Sequence, residues 1–245
     1  MSYRQELETA KKAALAAGQI LLEQKNNLNK SIFSSNTDIK LEADIVAEKL
    51  IKEILSDETS FPILAEESGQ SSDQLSDIFW VVDPLDGTAN YSRNIPICCV
   101  SIALIKNMEP VLGVIYDFSN NDLYEGSVNT LAMQNGLEIK VSDISNQGEG
   151  ILITGLPNKT DYSDEALLKM VKDFQGWRKV RMIGSAAIGS VYIASGKADV
   201  YKESRTYFWD VAAGAAIVQA AGGTASISNQ NKDFQVDVYF SNSKI

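Results

Sequence analysis

The chain contains no histidine, and that absence removes a large share of hydrolytic chemistry. Ser-His and Cys-His nucleophiles, phosphotransfer through an imidazole and every His-ligated zinc site are excluded. Cysteine is nearly as scarce: Cys98 and Cys99 are the only two, adjacent within an apolar run. Neighbours on a strand project to opposite faces, so the pair reads as two buried thiols in a reducing compartment rather than a disulfide. No apolar run reaches the length of a membrane span. The opening Met-Ser-Tyr-Arg-Gln-Glu begins an amphipathic helix rather than a secretory leader. A cytoplasmic protein without membrane association is the expectation. Basic charge is short as well, 22 Lys and Arg against 32 Asp and Glu, for a net charge of −10. Nucleic acid polymers and anionic membranes need a basic face, and this chain is unsuited to both. An anionic substrate would need a divalent metal to attract it. Hydrolysis here has to rest on carboxylates, hydroxyls, lysines and hard cations.

What remains is an ordinary globular composition, with 245 residues, enough for one large domain or two small ones. Residues 4–25 carry Leu7, Ala10, Ala14, Ala17, Ile20 and Leu21 at helical spacing. Residues 26–38 are polar and Ser/Asn-rich, which predicts a loop. Residues 42–55 form a second helix with Ile45, Val46, Leu50, Ile51 and Ile54 inward. A short strand over 61–65 ends in Glu66-Glu67, and residues 70–77 are a polar loop. A buried strand over 79–82 follows, then a meander of strands over 98–106, 110–118 and 122–128.

After a Gly/Ser/Asn-rich joint near residue 145, strands and helices alternate. Strands are expected over 150–154, 179–183, 198–202, 224–228 and 236–241. Helices are expected over 164–174, with Leu167, Leu168 and Val171 inward, and over 185–195 and 210–221. Two α/β halves, 1–144 and 145–245, are the simplest division.

Acids stand at the ends of these apolar elements. The run Phe79-Trp80-Val81-Val82 delivers Asp83-Pro84-Leu85-Asp86-Gly87-Thr88. By itself this is either a strand entering a Pro-initiated turn or a functional acid pair. Glu66 and Glu67 end the preceding strand, Asp44 lies in the first turn of the second helix, and Asp210 opens the apolar helix near the carboxyl end. Taken singly, Asp44 and Asp210 read as helix-terminal acids and Glu66-Glu67 as surface charge. Together they suggest a carboxylate cluster that only a hard cation would hold, and oxygen-only ligation points to Mg²⁺ working with a phosphate. Gly87-Thr88 can grip a phosphate oxygen. Gly184-Ser185-Ala186 is either a plain Ser N-cap or a second anion site.

Three segments, Ala65-Glu66-Glu67-Ser68, Asp83-Pro84-Leu85-Asp86-Gly87-Thr88 and Trp209-Asp210-Val211-Ala212-Ala213-Gly214, resemble in that order the inositol monophosphatase family of lithium-sensitive, Mg²⁺-dependent phosphatases. The resemblance implies an alternating α/β layered sandwich with mixed sheets. It implies two or three Mg²⁺ ions per site, one on Glu66, Asp83 and the Leu85 carbonyl and a second on Asp83, Asp86 and Asp210. Thr88 with Asp44 would orient and deprotonate the attacking water. The Gly87 and Thr88 amides would contact the phosphate, Ser185 and Glu203 would lie on the substrate side, and Glu67 would support the ligands. Ala89-Asn90-Tyr91 after Thr88 resembles inositol monophosphatases more than 3′(2′),5′-bisphosphate nucleotidases. The implied activity is hydrolysis of inositol monophosphate or a similar small phosphorylated substrate, by a homodimer. The alternatives are a bisphosphate nucleotidase, a fructose-1,6-bisphosphatase, and an inactive relative acting as a binding or regulatory subunit. Lys40-Leu41-Glu42-Ala43-Asp44 lacks the threonine common before the second helix of relatives.

Overall fold

Ala10, Ala13, Ala14, Ala17 and Leu21 recur at helical spacing and are fully buried along α1 (Arg4–Glu23). The computed structural model describes residues 3–35, 39–72, 75–156 and 161–245. After α1 come one helical turn, α2 (Lys25–Leu28), and an antiparallel hairpin of β1 (Ser31–Ser34) and β2 (Ile39–Leu41). The expected loop over 26–38 is thus corrected at its first half, residues 36–38 lying outside the described residues. Every β1 residue is exposed, so backbone pairing rather than an apolar pattern makes the strand, and composition gives no sign of it.

Helix α3 (Glu42–Glu58) packs along α1. Its buried stripe is Ala43, Asp44, Ala47, Glu48, Ile51 and Leu55, while Ile45 is 42% exposed. The expected inward position of Ile45 is therefore wrong. Two acids occupy the inner face, and hydrophobicity alone assigns that face to larger apolar residues.

The first sheet comprises β3 (Ile63–Ala65), β4 (Gly69–Gln70) and β5 (Ile78–Asp86), then, after the short helix α4 (Thr88–Ser92), β6 (Cys99–Lys106), β7 (Glu109–Asp117), β8 (Asp122–Ser127), β9 (Met133–Gln134) and β10 (Leu137–Glu138). Its order is β10-β9-β8-β7-β6-β5-β3-β4, antiparallel except for β3 beside β5. Both faces of β5 are buried: Phe79 and Val81 join one core, Trp80 and Val82 the other. Cys98 and Cys99 likewise enter opposite cores as free thiols.

The second sheet is built from β11 (Ile151–Ile153), α5 (Asp164–Phe174), β12 (Lys179–Arg181), α6 (Ala186–Ala194), β13 (Val200–Tyr207), α7 (Phe208–Ala220), β14 (Thr224–Ser228) and β15 (Gln235–Ser241), with strand order β12-β11-β13-β15-β14. Helices α6 and α7 lie between the two sheets, and α1 with α3 covers the other face of the first. Helix α5 has no fully buried residue, with Leu168 54% and Val171 50% exposed. Their expected inward placement is corrected: this helix reaches the sheet at its carboxyl end, through the ion pair of Asp173 with Lys202 on β13. Among the described residues no helix is long and apolar enough to cross a membrane.

Helix α7 sits where it does because small residues let backbones approach. A Cβ added to Gly113 on β7 would lie 2.1 Å from the Ala213 carbonyl oxygen, and one on Gly214 would lie 2.3 Å from Ser190 Cβ on α6. Gly113→Ala should therefore lower unfolding stability by about 1–3 kcal/mol, as overpacking does. Urea denaturation checks it, and an unchanged midpoint would refute the close approach.

Candidate active site

Residues 83 and 86 are three apart, which on a regular strand puts them on opposite faces. The strand does not end at Val82 as the sequence suggests. It continues to Asp86, and its register to β6 slips: Asp83 faces Ser101 while Asp86 faces Cys99. Three residues of β5 thus span two of β6, a bulge at Pro84-Leu85 where a residue without an N–H is tolerated. The bulge turns Asp83 and Asp86 to the same side. Both are buried, 2% and 8% exposed, and the Leu85 N–H donates to Asp83 Oδ1 at 3.0 Å. Gly87 then adopts φ +87°, with its Cα hydrogen facing the Ile97 carbonyl where a Cβ would be 2.7 Å away. Helix α4 begins at Thr88, whose Oγ1 lies 3.1 Å from Asp44 Oδ1 and 3.0 Å from the Leu85 carbonyl oxygen.

The other acids arrive from separate elements. Parallel pairing sets Ala65 of β3 beside Val82 of β5, so Glu66 emerges next to Asp83, and its N–H donates to the Val82 carbonyl at 3.1 Å. Asp44 and Asp210 each occupy the third position of a helix and reach back to the residue before it. Asp44 Oδ2 accepts the Leu41 N–H at 2.7 Å, and Asp210 Oδ2 accepts the Tyr207 N–H at 3.1 Å. The Thr206 hydroxyl donates to Asp210 Oδ2 at 2.8 Å.

A cavity of about 590 Å³ joins these groups. Glu66, Asp83, Leu85, Asp86, Gly87, Thr88, Ser185, Glu203 and Asp210 all line it. Asp44 stands behind Thr88, and Glu67 turns away to an ion pair with Lys40. Ser185 does two things at once: its hydroxyl donates to Asp86 Oδ2 and accepts the Ile188 N–H at 3.2 Å, capping α6. The Ala187 N–H adds a bond to Asp86 Oδ2 at 2.8 Å. Glu203 takes the Tyr201 hydroxyl at 3.2 Å, and its carboxylate occupies the space a Cβ on residue 155 would need, which Gly155 leaves open.

Several contacts escaped sequence reasoning. Thr206 holds Asp210. The Asn90 amide reaches the Ile97 and Ile183 carbonyls at 2.8 Å each, tying α4 to the turn before α6. Trp209 stacks on Tyr207 of the cavity wall, centroids 4.7 Å apart. A Thr preceding Tyr-Phe-Trp-Asp, and an Asn two residues after the Gly-Thr step, are visible signals but carry no meaning until the chain is folded.

Burial pushes the Asp83 carboxyl well above the ordinary 3.8, and Glu66, Asp86 and Asp210 push it further. Asp210 is raised for the same reasons, burial first and then Glu66 and Asp86. Asp86 is raised by burial although Ser185, Ala187, Ala186 and Cys99 all offset it. Asp44 rises through burial to about 6, and Glu203 to about 7. Among the described lining residues Arg93 is the only basic side chain. Among the described residues no three acids close on a point as ligands would. Asp83 and Glu66 instead share a hydrogen bond. The donor chemistry is nonetheless that of a hard-cation site: oxygen only, with Asp83 and Asp86 buried and Glu66 and Asp210 half-buried at the same cavity.

Such a fold, with acids from β3, β5 and α7 at one cavity, defines an alternating α/β sandwich built around an oxygen-donor site. The family model described as the inositol monophosphatase family matches residues 2–243, and the chain belongs to that family, whose members are metal-dependent phosphatases. The chain is 39% identical to the Nus factor SuhB of Xylella fastidiosa over 86% of its own length and 78% of the relative's. It is 34% identical to the fructose-1,6-bisphosphatase/inositol-1-monophosphatase of Aquifex aeolicus, over 90% and 85%. The solved inositol monophosphatase of Anabaena superposes with a TM-score of 0.87 at 32% identity, covering 100% of this chain and 93% of that one.

Each raised carboxyl binds its proton more tightly folded than unfolded. Its contribution to stability is therefore complete below the ordinary value and lost as pH rises through the folded one, about 6 for Asp44. Metal-free protein should lose stability between about pH 4 and 7. Asp83→Asn should raise the metal-free denaturation midpoint at neutral pH by removing a carboxyl whose ionisation burial and the neighbouring acids oppose. Thermal melts in chelator would detect both, and a flat pH profile would refute them.

Proposed function

We propose that the protein is a Mg²⁺-dependent phosphate monoester hydrolase acting on inositol monophosphate or a similar polyol phosphate. The observation that carries this reading is the convergence of Glu66, Asp83, Asp86 and Asp210 on the cavity that also holds the Thr88 hydroxyl, itself in contact with Asp44. Glu66, Asp83, Asp86, Asp210 and the Leu85 carbonyl are the residues that would hold two or three ions. Bound Mg²⁺ supplies Lewis acidity to the phosphate ester and to the attacking water.

The chain's own groups do the rest. Thr88 orients that water, and Asp44 behind it receives the proton; a carboxyl raised to about 6 is well matched to a base working near neutral pH. The Gly87 and Thr88 amides, at the start of α4, face phosphate oxygens. Ser185 holds Asp86 in place from the wall of the substrate pocket. Glu203 offers an acceptor to a substrate hydroxyl. Lithium inhibition, a homodimer and a cytoplasmic location complete the proposal on the strength of the family resemblance.

One observation favours a second reading, a substrate with two anionic groups such as fructose 1,6-bisphosphate. Arg93 lines the cavity, is exposed, and forms no ion pair among the described residues. A monophosphate gathered at the acid cluster leaves that guanidinium without a partner.

Turnover on inositol monophosphate, fructose 1,6-bisphosphate and a 3′,5′-bisphosphate nucleotide, with and without Mg²⁺, separates the readings. Thr88→Ala should lower kcat about 10²–10⁴-fold, the size of a general-base contribution. Arg93→Ala should leave the inositol ester unaffected and, on the second reading, raise KM for the bisphosphate about tenfold, the loss of one charge-assisted contact. Absence of Mg²⁺-dependent turnover on all three would leave the binding-subunit alternative standing.

A further inference from the structure

Glu48 is 4% exposed and has no part in the chemistry above. It lies one helical turn after Asp44 and one before Lys52, so the three share a stripe of α3. Asp44 meets Thr88. Glu48 Oε2 accepts the backbone N–H of Glu67 at 2.8 Å. Lys52 Nζ lies 2.7 Å from Ser68 Oγ and 3.9 Å from Glu48 Oε1. A single row of side chains on one helix thus touches both the Thr88 corner and the segment Glu66-Glu67-Ser68.

The contact at Glu67 has a geometric consequence for its neighbour. The Glu67 N–H belongs to the planar peptide whose carbonyl is that of Glu66. Fixing that N–H fixes the peptide plane on one side of the Glu66 Cα. On the other side, the Glu66 N–H is bonded to the Val82 carbonyl at 3.1 Å. With both flanking peptides held, little freedom remains in φ and ψ of Glu66, and the direction of its Cα–Cβ bond is set. Burying a carboxylate is costly beside an apolar residue of similar size, and Lys52 is its described counter-charge.

We propose that Glu48 is a positioning residue that aims Glu66 into the cavity, so that α3 registers the metal-binding acid against the Thr88–Asp44 pair. This rests on the reading of Glu66 as a metal ligand. Loss of an outer hydrogen bond to a ligand weakens metal binding about 10–100-fold. Calorimetric titration of the full chain with Mg²⁺ alone, paired with activity against Mg²⁺ concentration, tests it. Glu48→Ala should weaken Mg²⁺ binding about tenfold and raise half-saturating Mg²⁺ equally, while kcat at saturating Mg²⁺ recovers. Glu48→Gln, which keeps an accepting oxygen, should recover most of the affinity. If Glu48→Ala fails to fold, Glu48→Met, which fills the same space without an acceptor, replaces it. Wild-type affinity in the Ala or Met variant, or equal weakening in Gln and Ala, overturns the positioning role. Glu66→Gln distinguishes the parent reading: unchanged affinity there removes Glu66 as a ligand, whereas weakened affinity there with none at Glu48 overturns the positioning role alone.

Discussion

Negative charge held out of water is the constraint on which the rest of this structure depends. Asp83 and Asp44 are almost inaccessible, and the groups nearest Asp83 are other acids. In compensation the fold supplies N–H groups at the positive ends of helices. Asp44 closes the amino end of α3, Asp86 takes the amides that open α6, and Asp210 closes the amino end of α7. The dipoles of α6 and α7 therefore point at the cavity and that of α3 at the Thr88 corner beside it, each favouring the carboxylate at its end. They lessen the cost of burial without cancelling it, since all four of Asp44, Asp83, Asp86 and Asp210 keep raised values. Protonation, or a bound cation, supplies the rest.

Both sheets deform where they meet the cavity. On β5, three residues span two of β6 at Asp83–Asp86; on β13, Glu203 faces Val238 while Thr206 faces Val236, again three against two. Each bulge converts an odd spacing into a shared face. The first brings two acids together. The second lets Glu203 reach the cavity while Thr206 turns to Asp210. A regular ladder would send one member of each pair to the wrong side of its sheet.

Much of this was legible in the sequence, because apolar runs ending in acids are unusual. The strand at residues 79–82, the apolar helix after Asp210 and the opposite orientations of Cys98 and Cys99 all follow from pattern. The inner face of α3 did not, since Asp44 and Glu48 stand where Ile45 looks the better core residue. Ile45 is excluded because that face meets the Thr88 corner and the Glu66-Glu67 turn, contacts between segments far apart in the chain. The hairpin of β1 and β2 was hidden for the opposite reason: it buries nothing, and only backbone bonds define it. The contacts of Asn90 and Thr206 were not legible because an amide or hydroxyl acquires a role only from the partner it meets.

Asp83 and Asp210 reach the same cavity from elements packed closely together. Asp83 belongs to the first sheet and Asp210 to a helix that also packs on the second. That helix is seated by the missing Cβ atoms of Gly113 and Gly214, where no flexible side chain intervenes between elements. Close packing of small residues has low compressibility, so the two elements hold their relative position. The small-residue character of α7 is thus as much a part of the site as the acid at its end.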